Sequence, residues 1–320
     1  MDLNVQFWRT QSQSFFQRLI HWADILDPTL LLKSKKEIED ARLLLETSAL
    51  PLEDPLQNKQ VKQAWLLSLS SVNSHSGEII PIVFRPPAFL PIVTPLAFAN
   101  LLQHRQPKST FFCQFLFHSY TVGFTIANGN LTAKTEETSY TTKELFLSIG
   151  AVTYSALVGS LPHYLMKYQR INPSQHSFFR RLLPISLLAG LSGINVIFAR
   201  ANEFEKGIEV MDKDGKVVGM SEKAGMKAVR ETALSRAALF GIAMVVPEFL
   251  LYFMQRKKIF LRHEYYLTPM RLVMVFGLLG MFLPVSFSVF PQWGTIKRKD
   301  LETEILSSTE ETVLFYNRGI

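Results

Sequence analysis

Two hydrophobic rhythms divide this chain near Pro81. Before it, apolar residues recur every three or four positions: Phe15, Leu19, Trp22 and Leu26 form one stripe, Ile38, Ala41 and Leu45 a second, and Val61, Trp65 and Leu69 a third. That spacing predicts three amphipathic helices in a soluble or interfacial region. Asp27-Pro28 ends the first, because proline lacks a backbone donor and restricts the residue before it. Ser34 and Glu37 stand at capping-box spacing, which opens the second, and Asp54-Pro55 precedes the third.

After Pro81 the apolar residues run together, around 86–102, 111–127, 145–161, 183–199, 236–254 and 272–290. A membrane span needs roughly twenty mostly apolar residues, and each run is about that length or slightly short. The first holds Pro86, Pro87, Pro91 and Pro95, each removing a donor that lipid cannot replace, so it reads as re-entrant, kinked or packed inside protein. Five spans remain. The expected fold is an all-α membrane protein with an N-terminal amphipathic helical region over 1–81, a multi-pass domain over 82–292 and a C-terminal tail over 293–320. A solvated connector occupies 200–236, where apolar positions from Ile208 to Val218 flank Asp214-Gly215 in the pattern of a small hairpin.

Composition supports the membrane assignment. The 320 residues are 48% hydrophobic and only 19% charged, with 25 Phe. A single cysteine, Cys113, excludes an internal disulfide framework, and no Cys/His cluster has metal-ligand spacing, so no metal or cofactor is expected. The N-terminus lacks a secretory pattern and, with Asp2 and few basic residues, makes a poor cleavable presequence. Arg105 and Lys108, then Lys167, Arg170, Arg180 and Arg181, then Arg256, Lys257, Lys258 and Arg262 fall in alternate short connectors. The positive-inside rule puts these on the inner side; with five spans the N-terminal segment joins them and the C-terminus lies opposite.

Soluble chemistry finds little support. Asp212-Lys-Asp214-Gly215 hints at a calcium loop, but Lys223 stands where the acidic twelfth position belongs. No G-x-S-x-G elbow accompanies His118 or His163, which read as isolated packing residues, and no glycine-rich phosphate loop or basic–aromatic groove points to nucleotides or nucleic acid. What stands out is polarity inside the apolar runs: Asn195, Arg200, Arg236 and Glu248 are the candidate functional positions. Glu248 follows Pro247, so a carboxylate coincides with an expected helix break, as interrupted helices do at transporter sites; its plain alternative is pairing with a neighbour such as Arg236. Pro91, Pro95 and Pro284 are the other candidate breaks.

Ordered matches run from about Phe7 to the end: Asp27-Pro28 with Thr29-Leu30-Leu31, Ile194-Asn195 through Arg200, Lys206-Gly207-Ile208 leading to Asp212-Lys-Asp214-Gly215, Ser235-Arg236, Phe290-Pro291-Gln292, and Tyr316-Asn317-Arg318-Gly319-Ile320. In these the chain resembles the sideroflexins, a family of multi-pass proteins of the mitochondrial inner membrane. The better-known members carry serine and bear a His-Pro-Asp-Thr-Gly-Glu motif, where this chain has Asn73-Ser-His-Ser-Gly-Glu78. They also carry an Asn-rich polar run in the second apolar segment, of which little beyond Asn130 is kept here. A zwitterion path needs paired donors and acceptors to replace lost hydration, so these departures weaken a carrier role. Likeness to a divergent branch of the family implies instead a role in assembling respiratory complex I, with a link to iron–sulfur and iron homeostasis. The expected partners are the bilayer and complex I subunits or assembly factors, with serine as a possible solute.

Overall fold

In the computed structural model, residues 2–11, 14–47, 58–102, 107–130, 142–168, 177–256 and 264–320 are described. Helix α1 (Leu3–Gln11) is followed by α2 (Phe15–Ile25), α3 (Lys35–Thr47) and α4 (Lys59–Ser71). The caps explain these starts. Ser14 Oγ accepts from Gln17 N at 3.2 Å while Gln17 Oε1 accepts from Ser14 N at 3.0 Å, and Ser34 and Glu37 close the same reciprocal box on α3. Asp27 Oδ1 accepts from Thr29 N at 2.9 Å and turns the chain into a 3₁₀ segment at Pro28–Leu32. Asp54-Pro55 lies outside the described residues.

The proline-rich run forms a 3₁₀ turn at Pro86–Ala88 and α5 (Phe89–Leu102), which packs antiparallel to α6 (Pro107–Asn128): Phe89 meets Phe124 at 4.6 Å, and Asn100 Nδ2 donates to Cys113 O at 3.3 Å. Then come α7 (Thr142–Tyr168) and α8 (Ser177–Ala199), and, after the short α9 (Asn202–Glu205) and strands β1 (Ile208–Met211) and β2 (Val217–Ser221), the long α10 (Glu222–Arg256) and α11 (Glu264–Ser288). Leu145–Leu165, Leu182–Ala199, Glu222–Gln255 and Tyr266–Ser288 are long and apolar enough to cross a membrane. The fifth expected span is α6, 22 residues that turn polar side chains inward. The chain is thus a helical membrane-type protein with a small sheet.

Phe89, Phe117, Phe124, Phe240 and Phe287 form the centre of the bundle core, joined by Trp22 from α2. Helices α8 and α10 approach closely at Gly193, where a Cβ would meet Ala233 O at 2.9 Å; small residues permit this contact as they do in lipid.

The expected hairpin exists. β1 and β2 pair antiparallel, and Asp212 Oδ1 accepts from Asp214 N and Lys216 N, each at 2.9 Å, so this carboxylate organises the turn. Unexpectedly, the segment after residue 292 is more than a tail. Strand β3 (Trp293–Lys297), helix α12 (Thr303–Ser308) and β4 (Val313–Asn317) extend the hairpin into a four-stranded antiparallel sheet of order β2-β1-β4-β3.

Three expectations are corrected. First, the prolines do not break their helices: Pro91 lies in the first turn of α5, and Pro95, Pro247 and Pro284 lie inside α5, α10 and α11, which continue past them. Pro91 takes up a first-turn position whose N–H has no intrahelical partner in any case, while Pro95, Pro247 and Pro284 each remove one hydrogen bond and the turns on either side hold the helix together. Second, the chain ends are not on opposite sides. Arg9 Nη1 donates to Asp214 O at 2.6 Å, Arg18 Nε to Ser288 O at 3.0 Å and Asn317 Nδ2 to Ser74 Oγ at 3.1 Å, so the N-terminal helices, hairpin and C-terminal strands share one end of the bundle. The reason is α5, which carries the chain along the bundle before α6 returns it. Third, Lys108 lies at the start of α6, the far end of that helix from the N-terminal region, whose Asn73 bonds the carbonyls of Ala127 and Gly129; Arg105, Arg170, Lys257, Lys258 and Arg262 lie outside the described residues.

Candidate functional site

Inside the bundle, polar side chains have only each other and the backbone to bond. Their arrangement decides what the interior can do, because an unpaired polar group in low dielectric costs several kcal/mol. On α6, Gln114, His118, Thr121 and Thr125 recur at helical spacing and are all buried. Thr121 and Thr125 hydroxyls donate back to Phe117 O and Thr121 O, closing their own demands within the helix.

Asn195 on α8 links three helices. Its Oδ1 accepts from Ser155 Oγ of α7 at 2.9 Å, and its Nδ2 lies 2.9 Å from His118 Nδ1. His118 Nε2 in turn lies 3.2 Å from Gln114 Oε1. The self-consistent assignment has Asn195 donating to Nδ1 and a neutral imidazole donating from Nε2. Gln114 fits against α7 because residue 159 is glycine, where a Cβ would stand 2.7 Å from Oε1. His118, isolated in the sequence, is thus a relay member in space.

Arg200 closes a second network where α8 meets the sheet. Nε and Nη2 donate to the two Glu203 oxygens, each at 2.6 Å, with both side chains almost wholly buried. Nη1 donates to Thr232 Oγ1 of α10 at 3.1 Å and Nη2 to Arg318 O at 2.5 Å. All three guanidinium nitrogens are therefore engaged, one of them by the C-terminal backbone. Asn130 Nδ2 joins Glu203 Oε2 at 3.4 Å and Asn317 O at 2.7 Å, and Ile320 N donates to Asn128 O at 3.2 Å, so the last residues are stitched to the end of α6. Arg318 donates to Phe287 O at 3.1 Å; burial pulls its guanidinium down to about 10, which leaves it charged at neutral pH.

Arg236, one turn beyond Thr232 on α10, is held differently. Its guanidinium carbon sits 4.8 Å from the Phe89 ring centroid, 5.0 Å from Phe124 and 4.5 Å from Phe287, while Nη1 and Nη2 make no hydrogen bond. Three ring faces supply the attraction that a carboxylate supplies elsewhere. Glu248 does not pair with Arg236. Its Oε1 lies 2.5 Å from Arg271 Nε of α11, and its Oε2 accepts from Arg271 Nη2 at 3.3 Å.

The four sequence candidates thus occupy separate settings: a neutral relay, a C-terminal clasp, an aromatic cage and an interhelical ion pair. Sequence reasoning missed Glu203, Arg271, Arg318, Gln114 and Asn73. Asn73 is a clasp of its own, with Oδ1 accepting from His75 N at 2.8 Å and Ser76 N at 3.1 Å, and Nδ2 donating to Ala127 O at 3.0 Å and Gly129 O at 3.1 Å. It joins the Ser74–Glu78 loop to the last carbonyls of α6. No group of three or more potential metal ligands occurs among the described residues.

Comparison with known proteins finds similarity along the whole chain. A model of the sideroflexin family matches residues 2–320. The chain is 43% identical to Sideroflexin-4 of Danio rerio over the full length of both. It is 40% identical to Sideroflexin-4 of Homo sapiens, covering all of this chain and 93% of that one, and 29% identical to Sideroflexin-5 of Homo sapiens over 98% and 91%. No solved structure matches it.

Proposed function

The chain belongs to the sideroflexin family, and from that membership we propose that it acts in the mitochondrial inner membrane as an assembly factor for respiratory complex I. A link to iron–sulfur cluster and iron homeostasis belongs to the same proposal, as the resemblance to the Sideroflexin-4 proteins implies. It works by holding complex I subunits or assembly factors through its helices and N-terminal region, with no chemistry of its own. The observation that carries this reading is that three of the four polar candidates are consumed internally: Asn195 by Ser155 and His118, Arg200 by Glu203 and Thr232, and Glu248 by Arg271. Groups spent in this way tie helices together and are not free to replace the hydration of a passing solute.

A second reading, a carrier of serine or a similar small amino acid, draws on Arg236, whose Nη1 and Nη2 are free of hydrogen bonds. A carboxylate is the ligand such a guanidinium fits. Cells lacking the protein separate the two: loss of assembled complex I with serine uptake intact is expected, whereas an uptake defect with complex I intact overturns the assembly reading.

A further inference from the structure

Helix α2 is apolar on two opposite faces, one of them turned away from the protein. It buries Arg18, Trp22 and Ile25 against the rest of the protein, yet leaves Phe16 73% and Ile20 61% exposed, with Ala23 exposed on the same stripe one turn on. An ordinary surface helix turns such a stripe to the core.

Its position says what solvent that stripe meets. Arg18 Nε donates to Ser288 O at 3.0 Å and the Trp22 and Phe287 rings lie 4.9 Å apart, which fastens α2 across the end of α11. Ser288 is also the last residue of the candidate span Tyr266–Ser288. That span exposes Val273, Phe276 and Met281 along its length, and Val289 is exposed just beyond its end. An apolar surface thus runs along α11, and α2 lies at the level where it ends.

We propose that α2 is an interfacial helix whose Phe16–Ile20–Ala23 stripe rests in the headgroup–acyl boundary of the bilayer that surrounds the spans. An amphipathic helix lying in the membrane plane buries its apolar face several ångströms below the headgroups, and aromatic residues favour that level. The polar positions Gln17, His21 and Asp24 lie on the remaining side of the helix. The N-terminal region is thereby seated on lipid as well as on α11, which goes beyond the assembly role proposed above.

The test uses the full chain in phosphatidylcholine vesicles. Phe16→Cys and Ile20→Cys are each made with Cys113→Ser and labelled with an environment-sensitive fluorophore; Lys216→Cys in the exposed hairpin turn is the aqueous control. Labels at 16 and 20 should shift their emission to the blue relative to 216, lose quenching by iodide and gain quenching by doxyl-labelled lipid. Iodide quenching equal to that at 216 overturns the proposal, and so does shielding from both quenchers, which would mean a protein contact. The two positions lie one turn apart, so the result at each checks that labelling has not unseated the helix at the other.

Discussion

The Arg200 guanidinium and the Glu203 carboxylate form a fully buried two-point ion pair, one helical turn apart in the chain, at 2.6 Å on each arm. The pair does more than neutralise itself, since Arg200 also bonds Thr232 of α10 and the carbonyl of Arg318 near the C-terminus. It is the point where the end of α8, the connector, α10 and the chain end are fastened together.

Removing one partner should therefore cost far more than removing both. Glu203→Gln leaves a buried guanidinium without its counter-charge, a loss of about 3–5 kcal/mol, whereas replacing both members with apolar residues of similar volume is often close to neutral. Thermal unfolding of the purified chain should show Glu203→Gln well below an Arg200→Met/Glu203→Leu double variant. Equal melting temperatures would deny the pair this role.

The Asn195 relay predicts a smaller effect. Asn195→Leu keeps the volume but leaves Ser155 Oγ and His118 Nδ1 in low dielectric without their partner, at a cost of about 1–3 kcal/mol. The measurement is again thermal unfolding, with Asn195→Leu compared against Ile194→Leu on the exposed side of the same helix. An unchanged melting temperature for both would contradict the relay.

Glu248 is expected to behave as a structural residue. Glu248→Gln strips Arg271 of its counter-ion, so protein abundance in the membrane should fall, and Glu248→Leu/Arg271→Leu should recover part of it. Western blotting of membrane fractions checks this. Loss of function at unchanged abundance would return Glu248 to the functional candidates.

How much of this was legible in the sequence depends on how far apart the interacting residues lie. Local devices were plain: the Ser34–Glu37 box, the Asp27-Pro28 stop and the Asp214-Gly215 turn need only neighbours in the chain. The Ser14–Gln17 box is equally local, a Ser followed three residues later by a Gln just ahead of the apolar stripe. Partnerships across helices were not legible. Glu248 meets Arg271 across 23 residues and Arg200 meets the Arg318 carbonyl across 118, and nothing in spacing selects Arg271 over Arg236. The sheet is not legible because β3 and β4 are five residues each, and β4 joins the hairpin by pairing Val210 with Tyr316 and Met211 with Phe315, across more than a hundred residues, which no alternation pattern announces. A trace of the relay was present, however, since Gln114, His118, Thr121 and Thr125 form a polar stripe at helical period within an apolar run.

In the proposed assembly role the chain holds partners and moves no solute, and Arg236 is where that role and the carrier role part. Its terminal nitrogens give up no hydrogen bond on substitution, and methionine fills similar space among Phe89, Phe124 and Phe287, so Arg236→Met should keep the fold. The deciding measurement is the amount of assembled complex I, by native gel electrophoresis, in cells lacking the protein and re-expressing Arg236→Met at wild-type abundance. Full restoration of complex I is the predicted result; a variant present at normal abundance that fails to restore it would contradict the account.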